Sequence, residues 1–188
     1  MNDTIRQKLA ELNNEAAASV AHAADALSRR NRRNIENVYP WLSDDPAPAV
    51  IVDVDGTLVD VDGVRHHVTG TTRDFHAFHQ ESIDCPPIPW VVNLVRDYHH
   101  KRYPVVIVTG RSRRYERLTS MWLALHDVPS VEMHMRRDGD QRPDVEVKRE
   151  ILRAVRHRYR IKRAIDDNPS IIDLWKSEGI PVTVVDGP

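Results

Sequence analysis

Cysteine, glycine and long apolar runs are scarce or absent in this chain of 188 residues. Cys85 is the only cysteine, so no intrachain disulfide can form and nothing indicates an oxidising compartment. Seven glycines are too few for a collagen-like or low-complexity chain. No apolar run approaches the roughly 18 residues of a membrane span, and the N-terminus lacks the order of a secretory signal. We therefore expect no membrane partner and a cytoplasmic location.

The charge of the chain is balanced overall but unevenly distributed. The formal net charge is −1, from 27 Lys+Arg and 28 Asp+Glu. Taken alone, that average argues against a nucleic-acid-binding surface. Residues 96–163, however, hold 18 basic and 9 acidic side chains, a balance of +9, whereas residues 1–95 and 164–188 have balances of −6 and −4. The basic segment is compatible with a polyanionic substrate, whose binding would weaken as salt rises.

The first 46 residues are predicted to form a helical extension followed by a linker. Apolar residues recur every three or four positions, as on one face of a helix: Ile5, Leu9, Leu12, Ala16, Val20, Ala23 and Leu27. This face either docks on the rest of the chain or forms a seam between two copies, and we predict a homo-oligomer through it. Four arginines in residues 29–33 either complement the dipole at the end of this helix or contact phosphate.

Strands and helices alternate in the predicted main domain, residues 47–188. The predicted strands are short apolar runs rich in β-branched residues, at 49–54, 104–108, 131–135, 161–165 and 181–185. The predicted helices have apolar residues at helical spacing, at 90–99, 115–126, 146–159 and 170–177. This alternation predicts an α/β fold with a doubly wound parallel sheet, in which ligands bind at the carboxyl ends of the strands.

Several polar residues follow the predicted strands, or lie on a helix between them, and should meet at that edge of the sheet: Asp53, Asp55, Thr109, Arg111, Lys148, Asp166 and Asp167. Each has an ordinary explanation when taken alone, as a turn former, a helix cap or a solvated lysine. Their joint arrival at one edge favours a site for phosphoryl transfer.

The chemistry of such a site can be assigned from the residue types. An aspartate can act as nucleophile and form an aspartyl-phosphate, while Gly56 lets the chain turn so that Asp55 serves as general acid/base. Clustered aspartate oxygens are ligands that Mg²⁺ prefers, and the metal with a lysine would neutralise phosphoryl charge. No GxxxxGK[ST] loop occurs, so nucleotide-driven kinase chemistry is not supported.

Four segments resemble the motifs of the haloacid dehalogenase (HAD) superfamily of phosphatases: DVDGTLVD (53–60), VIVTGR (106–111), Lys148, and AIDDNPSIIDLW (164–175). The spacing GDxRxDxxxK over 139–148 is, more narrowly, similar to the 3′-phosphatase domain of phage polynucleotide kinase-phosphatases and to related stand-alone phage and bacterial proteins. The resemblance covers residues 49–188, about three-quarters of the chain. It implies a HAD-like Rossmannoid fold with a small cap, here the insertion at about 61–89.

The resemblance also implies a role for each matching residue. Asp53 would be the nucleophile and a metal ligand, and Asp55 the general acid/base and a ligand through its backbone carbonyl. Thr109, with Gly110, would bind phosphoryl oxygens, and Arg111 would be a catalytic arginine. Asp144 and Lys148 match a motif whose lysine would steady the nucleophile and the phosphate, and Asp144 would belong to the substrate-binding residues. Asp166 and Asp167 would complete a Mg²⁺ site, with Asp167 favoured as direct ligand.

The insertion leaves the substrate-binding arginine undecided, because Arg65 and Arg73 fit nearly equally well. Its histidines 66, 67, 76 and 79 are expected on a solvent-facing or substrate-contacting lid rather than at a metal. Phe75 and Phe78 either stack a base or form the core of the cap. The leading prediction is a Mg²⁺-dependent phosphatase of nucleic-acid 3′-ends. The alternatives are a phosphatase of free nucleotides or other small phosphate esters, and a non-catalytic phosphate-binding module.

Overall fold

The computed structural model describes residues 46–186, together with three helical positions of the N-terminal segment, His22, Ala26 and Arg29. The chain divides into two compact units, Met1–Asp45 and Pro46–Pro188. The predicted apolar face of the N-terminal helix lies outside the described residues, so the homo-oligomer remains a prediction. Among the described residues, no helix is long and apolar enough to cross a membrane.

The second unit is built on a five-stranded sheet in which all neighbouring strands are parallel, in the order β3-β2-β1-β4-β5. The strands are β1 Ala47–Val52, β2 Val105–Ser112, β3 Glu132–Arg136, β4 Tyr159–Asp166 and β5 Val182–Val184. The helices are α1 Phe75–Glu81, α2 Pro89–His100, α3 Glu116–Leu125, α4 Asp144–Arg156 and α5 Pro169–Ser177. Turns of 3₁₀ helix cover Asp62–His67, Ser82–Asp84 and Arg113–Tyr115. The predicted doubly wound α/β fold is confirmed.

Helices cover both faces of the sheet, and the side chains of β1 are apolar on both of these faces. Val50 and Val52 pack into the core beneath α2 and α3, which includes Trp122. Ala49 and Ile51 point to the opposite core, beneath α4 and α5, which includes Trp175. A strand buried on both faces reads as a continuous apolar run, which is why the sequence identified it.

Strand β2 continues further than the sequence predicted. Thr109 and Gly110 looked like a turn that ends the strand, but the strand runs on to Ser112. Thr109 pairs with Met135 of β3, and the register shifts before Ser112 pairs with Arg136. The pairing with β3 overrides the local turn preference, so Thr109 and Arg111 are held on a strand rather than on a loop.

The insertion between β1 and α2 leaves and re-enters the domain at one place. The backbone N–H of Asp60 donates to the carbonyl of Pro86 at 2.9 Å, and that of Ile88 donates to the carbonyl of Leu58 at 2.8 Å. Within the insertion, Phe78 is buried in the larger core, whereas Phe75 is 54% exposed. Phe78 is therefore a core residue, and only Phe75 is free to stack on a ligand.

Candidate active site

The polar residues expected at the sheet edge do come together at the carboxyl ends of β1, β2 and β4. Asp53 and Asp55 follow β1, Thr109 and Arg111 lie near the end of β2, and Asp166 ends β4. Asp167 comes next in the chain, and Lys148 reaches the edge from the second turn of α4. Parallel strands place their carboxyl ends together, so residues far apart in sequence form one site.

Lys148 lies between two buried carboxylates. Its Nζ is 3.0 Å from Asp53 Oδ1 and 3.1 Å from Asp166 Oδ2, and its side chain is 1% exposed. Burial raises the pKa of Asp53 well above its usual range, although Lys148 opposes this. Burial alone would lower the pKa of Lys148, but the carboxylates of Asp53 and Asp166 raise it above its usual range. Lys148 is therefore charged and part of the site, not a solvated helix lysine.

Asp55 is held by Arg111 through both of its carboxylate oxygens. Arg111 Nη2 donates to Asp55 Oδ1 at 2.6 Å, and Nε donates to Oδ2 at 2.9 Å. Burial tends to raise the pKa of Asp55, but the Arg111 guanidinium outweighs it and holds that pKa below its usual range. Arg111 is itself 1% exposed, and its Nη1 donates to Thr119 of α3 at 3.3 Å. The turn after Asp55 depends on Gly56, whose φ is +78°.

Three carboxylates at this edge could hold a metal ion. Asp53, Asp166 and Asp167 each offer one oxygen, and these oxygens lie within 4.8 Å of one another. Thr57 donates to Asp167 Oδ1 at 2.9 Å, and a Cβ on Gly56 would lie 2.2 Å from Asp167 Oδ2. Burial raises the pKa of Asp167, as it does that of Asp53, and a bound cation would favour the ionised form of both carboxyl groups. Their oxygens are the hard donors of a Mg²⁺ site. The residues therefore fit a divalent cation.

Thr109, Gly110 and Asp144 lie beside this centre. The buried hydroxyl of Thr109 accepts a hydrogen bond from the backbone N–H of Arg111 at 3.2 Å. The backbone approaches α4 so closely at Gly110 that a Cβ there would lie 2.5 Å from Asp144 Oδ1. Asp144 Oδ2 is 3.8 Å from Lys148 Nζ, so the expected pair of Asp144 and Lys148 is brought together.

Arg136 stabilises the loop before α4 through several hydrogen bonds, and no role was predicted for it from the sequence. Its guanidinium donates to Asp144 Oδ1 at 3.1 Å and to the Gly110 carbonyl at 3.0 Å. It also donates to the carbonyls of Asp140 at 3.2 Å and Arg142 at 2.7 Å, which fixes the loop before α4. It lies just before the 139–148 segment, but its acceptors are mostly backbone carbonyls, which leave no pattern in a sequence.

The two candidate substrate arginines of the insertion do not contact the carboxylates of the site. Arg65 is about half exposed and pairs with Asp62 at 3.1 Å. Arg73 is exposed and makes no hydrogen bond or ion pair with the residues described by the structure. Their assignment to substrate remains a prediction, and the structure does not choose between them.

The histidines of the insertion separate into different environments. His79 is buried rather than solvent-facing, because it packs against Tyr115 with ring centroids 4.9 Å apart, and its contact with substrate stays a prediction. Its Nδ1 lies 4.0 Å from Asp55 Oδ2 and has no hydrogen-bond partner among the described residues. Burial lowers the pKa of His79 to about 4, so the ring is neutral near pH 7. His76 is exposed, with its Nδ1 2.7 Å from the Tyr115 hydroxyl.

His66, His67 and Glu81 form a second group that could hold a metal ion. The His67 Nε2 lies 2.8 Å from Glu81 Oε2, and all three side chains are at or near the surface. The sequence did not pair these residues, because Glu81 belongs to α1 and the two histidines to the preceding 3₁₀ turn.

Comparison with solved structures shows a shared fold. The Pnkp1/Rnl/Hen1 RNA repair complex contains a chain that matches with a TM-score of 0.67 at 24% identity, over 77% of this chain. The match covers 44% of that chain, so this chain spans less than half of its length. The class C acid phosphatase from Bacillus anthracis matches with a TM-score of 0.57 at 15% identity, over 78% of this chain and 69% of that chain.

A family model goes further than fold, because it matches the sequence across nearly the whole second unit. The model for the polynucleotide kinase PNKP phosphatase domain matches residues 47–187, the stretch that begins at β1 and includes every carboxylate described above. The resemblance carried by the sequence motifs is thereby confirmed. The chain belongs to the PNKP phosphatase-domain family of the HAD superfamily and is a phosphoric monoester hydrolase.

Proposed function

We propose that this phosphatase is a Mg²⁺-dependent enzyme that removes 3′-phosphates from nucleic-acid ends through an aspartyl-phosphate on Asp53. The observation that carries the proposal is the buried Asp53 carboxylate, paired with Lys148 at 3.0 Å beside two further aspartates. The choice of nucleic-acid ends is supported by the family match and by the similarity to a chain of an RNA repair complex.

The reaction needs two steps at phosphorus. Asp53 attacks the phosphoryl group, the bond to the ester oxygen breaks, and the leaving alkoxide takes a proton from Asp55. Water, losing its proton to Asp55, then attacks the aspartyl-phosphate, which releases inorganic phosphate and regenerates the Asp53 carboxylate. Arg111 donates one hydrogen bond to each Asp55 oxygen, so a second lone pair on either oxygen can carry the proton while Arg111 keeps the carboxyl group oriented.

The proposed metal ligands are Asp53, the Asp55 backbone carbonyl and Asp167, with Asp166 adjacent. Asp166 Oδ2 already accepts hydrogen bonds from Lys148 and from Trp175 Nε1, both at 3.1 Å. Asp167 accepts from Thr57 through Oδ1, which supports its Oδ2 as the direct ligand. A bound Mg²⁺ would offset the negative charge of the phosphoryl group and the carboxylates.

The roles proposed for the neighbouring residues follow from their positions. Lys148 opposes the rise that burial causes in the pKa of Asp53, and its ammonium group offsets negative charge on the phosphoryl group. Thr109 and Gly110 bind phosphoryl oxygens, and Asp144 steadies Lys148 from the first turn of α4. Arg111 orients Asp55.

The experiment compares phosphate release from 3′-phosphorylated DNA and RNA oligonucleotides, nucleoside 3′-monophosphates and p-nitrophenyl phosphate, with Mg²⁺ or with EDTA. We expect Mg²⁺-dependent release from oligonucleotides that is abolished in Asp53→Asn, and a phosphorylated protein that is trapped after acid quench only when Asp53 is present. Much faster hydrolysis of mononucleotides than of any oligonucleotide would replace the proposal by a nucleotide phosphatase. Phosphate binding without turnover of any ester would leave a binding module.

A further inference from the structure

A shallow groove of about 660 Å³ lies along the outer side of α3, and the proposed chemistry does not use it. We define the α3 groove by Arg113, Arg114, Arg117 and Met121, and Glu116 is the acidic member among the described residues that line it. All three arginines are exposed, and Met121 is 53% exposed. A basic surface with an exposed apolar side chain is chemically complementary to a strand of phosphates and bases.

Two of the three arginines have no ion-pair partner among the described residues. Arg113 and Arg117 make no ion pair with any residue in the part of the chain that the structure describes. Arg114 differs, because its Nε lies 3.7 Å from Asp138 Oδ1 and its backbone N–H donates to the same oxygen at 2.9 Å. Two exposed and unpaired guanidinium groups in one groove are a local concentration of positive charge that an anion can neutralise.

The groove begins at the edge of the sheet where the site lies. Arg113 follows Ser112, the last residue of β2, and is two positions beyond Arg111. Helix α3 then runs away from that edge, with Arg117 about one turn, or roughly 5 Å, further along. The same helix contacts the site from its buried side, where Thr119 accepts a hydrogen bond from Arg111. A strand whose 3′-end lies at Asp53 would therefore have to cross this edge of the sheet to reach Arg113 and Arg117.

We propose that the α3 groove binds the sugar-phosphate backbone of the nucleic-acid strand whose 3′-phosphate enters the active site. This inference rests on the proposed function and adds the path of the substrate. The arginines contact phosphates upstream of the 3′-end, and Met121 lies against a base or sugar. The site thereby distinguishes a polynucleotide end from a mononucleotide, which cannot reach the groove.

The test is a double variant, Arg113→Gln with Arg117→Gln, assayed on substrates of increasing length. For the wild type we expect KM to fall as a 3′-phosphorylated substrate grows from one to about four nucleotides. For the variant we expect KM for long substrates to rise on the order of tenfold, with kcat/KM for nucleoside 3′-monophosphates unchanged. The slope of log KM against log salt should fall by about 1.4, which is 0.7 for each lost phosphate contact on a single strand.

A matched control removes the same charge elsewhere. Arg153→Gln with Arg160→Gln also replaces two exposed arginines, one on α4 and one at the far end of β4. It should leave both the length dependence and the salt slope as in the wild type. Equal effects in both variants would overturn the proposal in favour of the overall charge, and so would an unchanged salt slope in the groove variant.

The outcomes separate the groove from the proposed function. If the wild type hydrolyses oligonucleotides but its KM does not depend on their length, the groove proposal is wrong and the 3′-phosphatase proposal stands. If the wild type prefers mononucleotides, the proposed function fails, and the groove proposal fails with it. Loss of activity on p-nitrophenyl phosphate in the groove variant would indicate a disturbed site and would also count against the groove proposal.

Discussion

Replacement of Lys148 by Met removes the cation that holds Asp53 and Asp166 together in the interior. The lysine Nζ is within 3.1 Å of both carboxylates, and all three side chains are less than 10% exposed. Removal of one partner from a buried ion pair costs about 3–5 kcal/mol, because the remaining charge is left without compensation. We expect the free energy of unfolding to fall by about that amount at neutral pH without divalent metal, a loss of roughly 10 °C in Tm.

The same reasoning predicts how pH and metal change the loss. In the variant, a buried carboxylate binds a proton in the folded state more readily than in the unfolded state, so stability falls as pH rises. The destabilisation should therefore be smaller near pH 5 than near pH 8. A divalent cation supplies positive charge at the same place, so Mg²⁺ should raise the Tm of Lys148→Met by more than it raises the Tm of the wild type.

The assay is urea unfolding followed by tryptophan fluorescence, since Trp122 and Trp175 are both 1% exposed in the folded chain. It is run in EDTA near pH 5 and near pH 8, with thermal scans with and without Mg²⁺. Lys176→Met is the matched control, because Lys176 is exposed on α5 and should tolerate the change within about 0.5 kcal/mol. If Lys148→Met loses no more stability than the control near pH 8, the reasoning about the buried charges is refuted.

Three further outcomes are expected from the same structure. Gly110→Ala should lower the free energy of unfolding by about 2 kcal/mol and reduce activity, because the added Cβ would lie 2.5 Å from Asp144 Oδ1. Gly63→Ala, whose Cβ would meet nothing within 4 Å, should be nearly neutral in the same urea-unfolding and phosphate-release assays. The pKa of His79 is about 4 in the folded chain, so the unfolded state binds a proton first as pH falls below about 6.5, and the free energy of unfolding falls by up to about 3 kcal/mol between pH 6.5 and pH 4. In urea unfolding, His79→Gln should lose less stability than the wild type over that range, and an equal loss would contradict the lowered pKa of His79. Asp167→Asn should raise the Mg²⁺ concentration for half-maximal activity at least tenfold, with little change in the Tm of the metal-free protein. Asp166→Asn should also lower that Tm, because the Asp166 carboxylate accepts hydrogen bonds from the buried Lys148 and Trp175.

The sheet and the residues at its edge were predictable because both leave local patterns. Buried parallel strands are apolar runs of β-branched residues, and the residues that follow them meet at one edge whatever their separation in sequence. That is how Asp53, Arg111 and Asp166 could be grouped before the structure. The bounds were less accurate where pairing decides them, as at Thr109, which the sequence marked as a turn and β3 holds in a strand.

The missed contacts share a different cause, which is that they join segments without a periodic pattern. Arg136 bonds to backbone carbonyls, which any residue type can supply, so its bracing role has no sequence signature. His79 approaches Asp55 and Tyr115 only because the insertion folds back over the sheet edge. The sequence could not assign it, because the burial of a histidine depends on packing against residues distant in the chain.

The insertion departs from the domain at Asp60 and returns at Pro86, two residues whose backbones are bonded directly to each other. These hydrogen bonds hold the two ends of the insertion together, and each doubling of the length of such a loop adds only about 0.6 kcal/mol of loop-closure entropy. The turn that carries Asp53 and Asp55 precedes this junction and is closed by its own backbone hydrogen bonds, from Gly56 to the carbonyl of Val59 and from Val59 to the carbonyl of Val54, both at 2.9 Å. The junction therefore fixes where the insertion leaves and re-enters the domain, whereas the insertion itself contributes to the surroundings of the site, because its His79 lies 4.0 Å from Asp55.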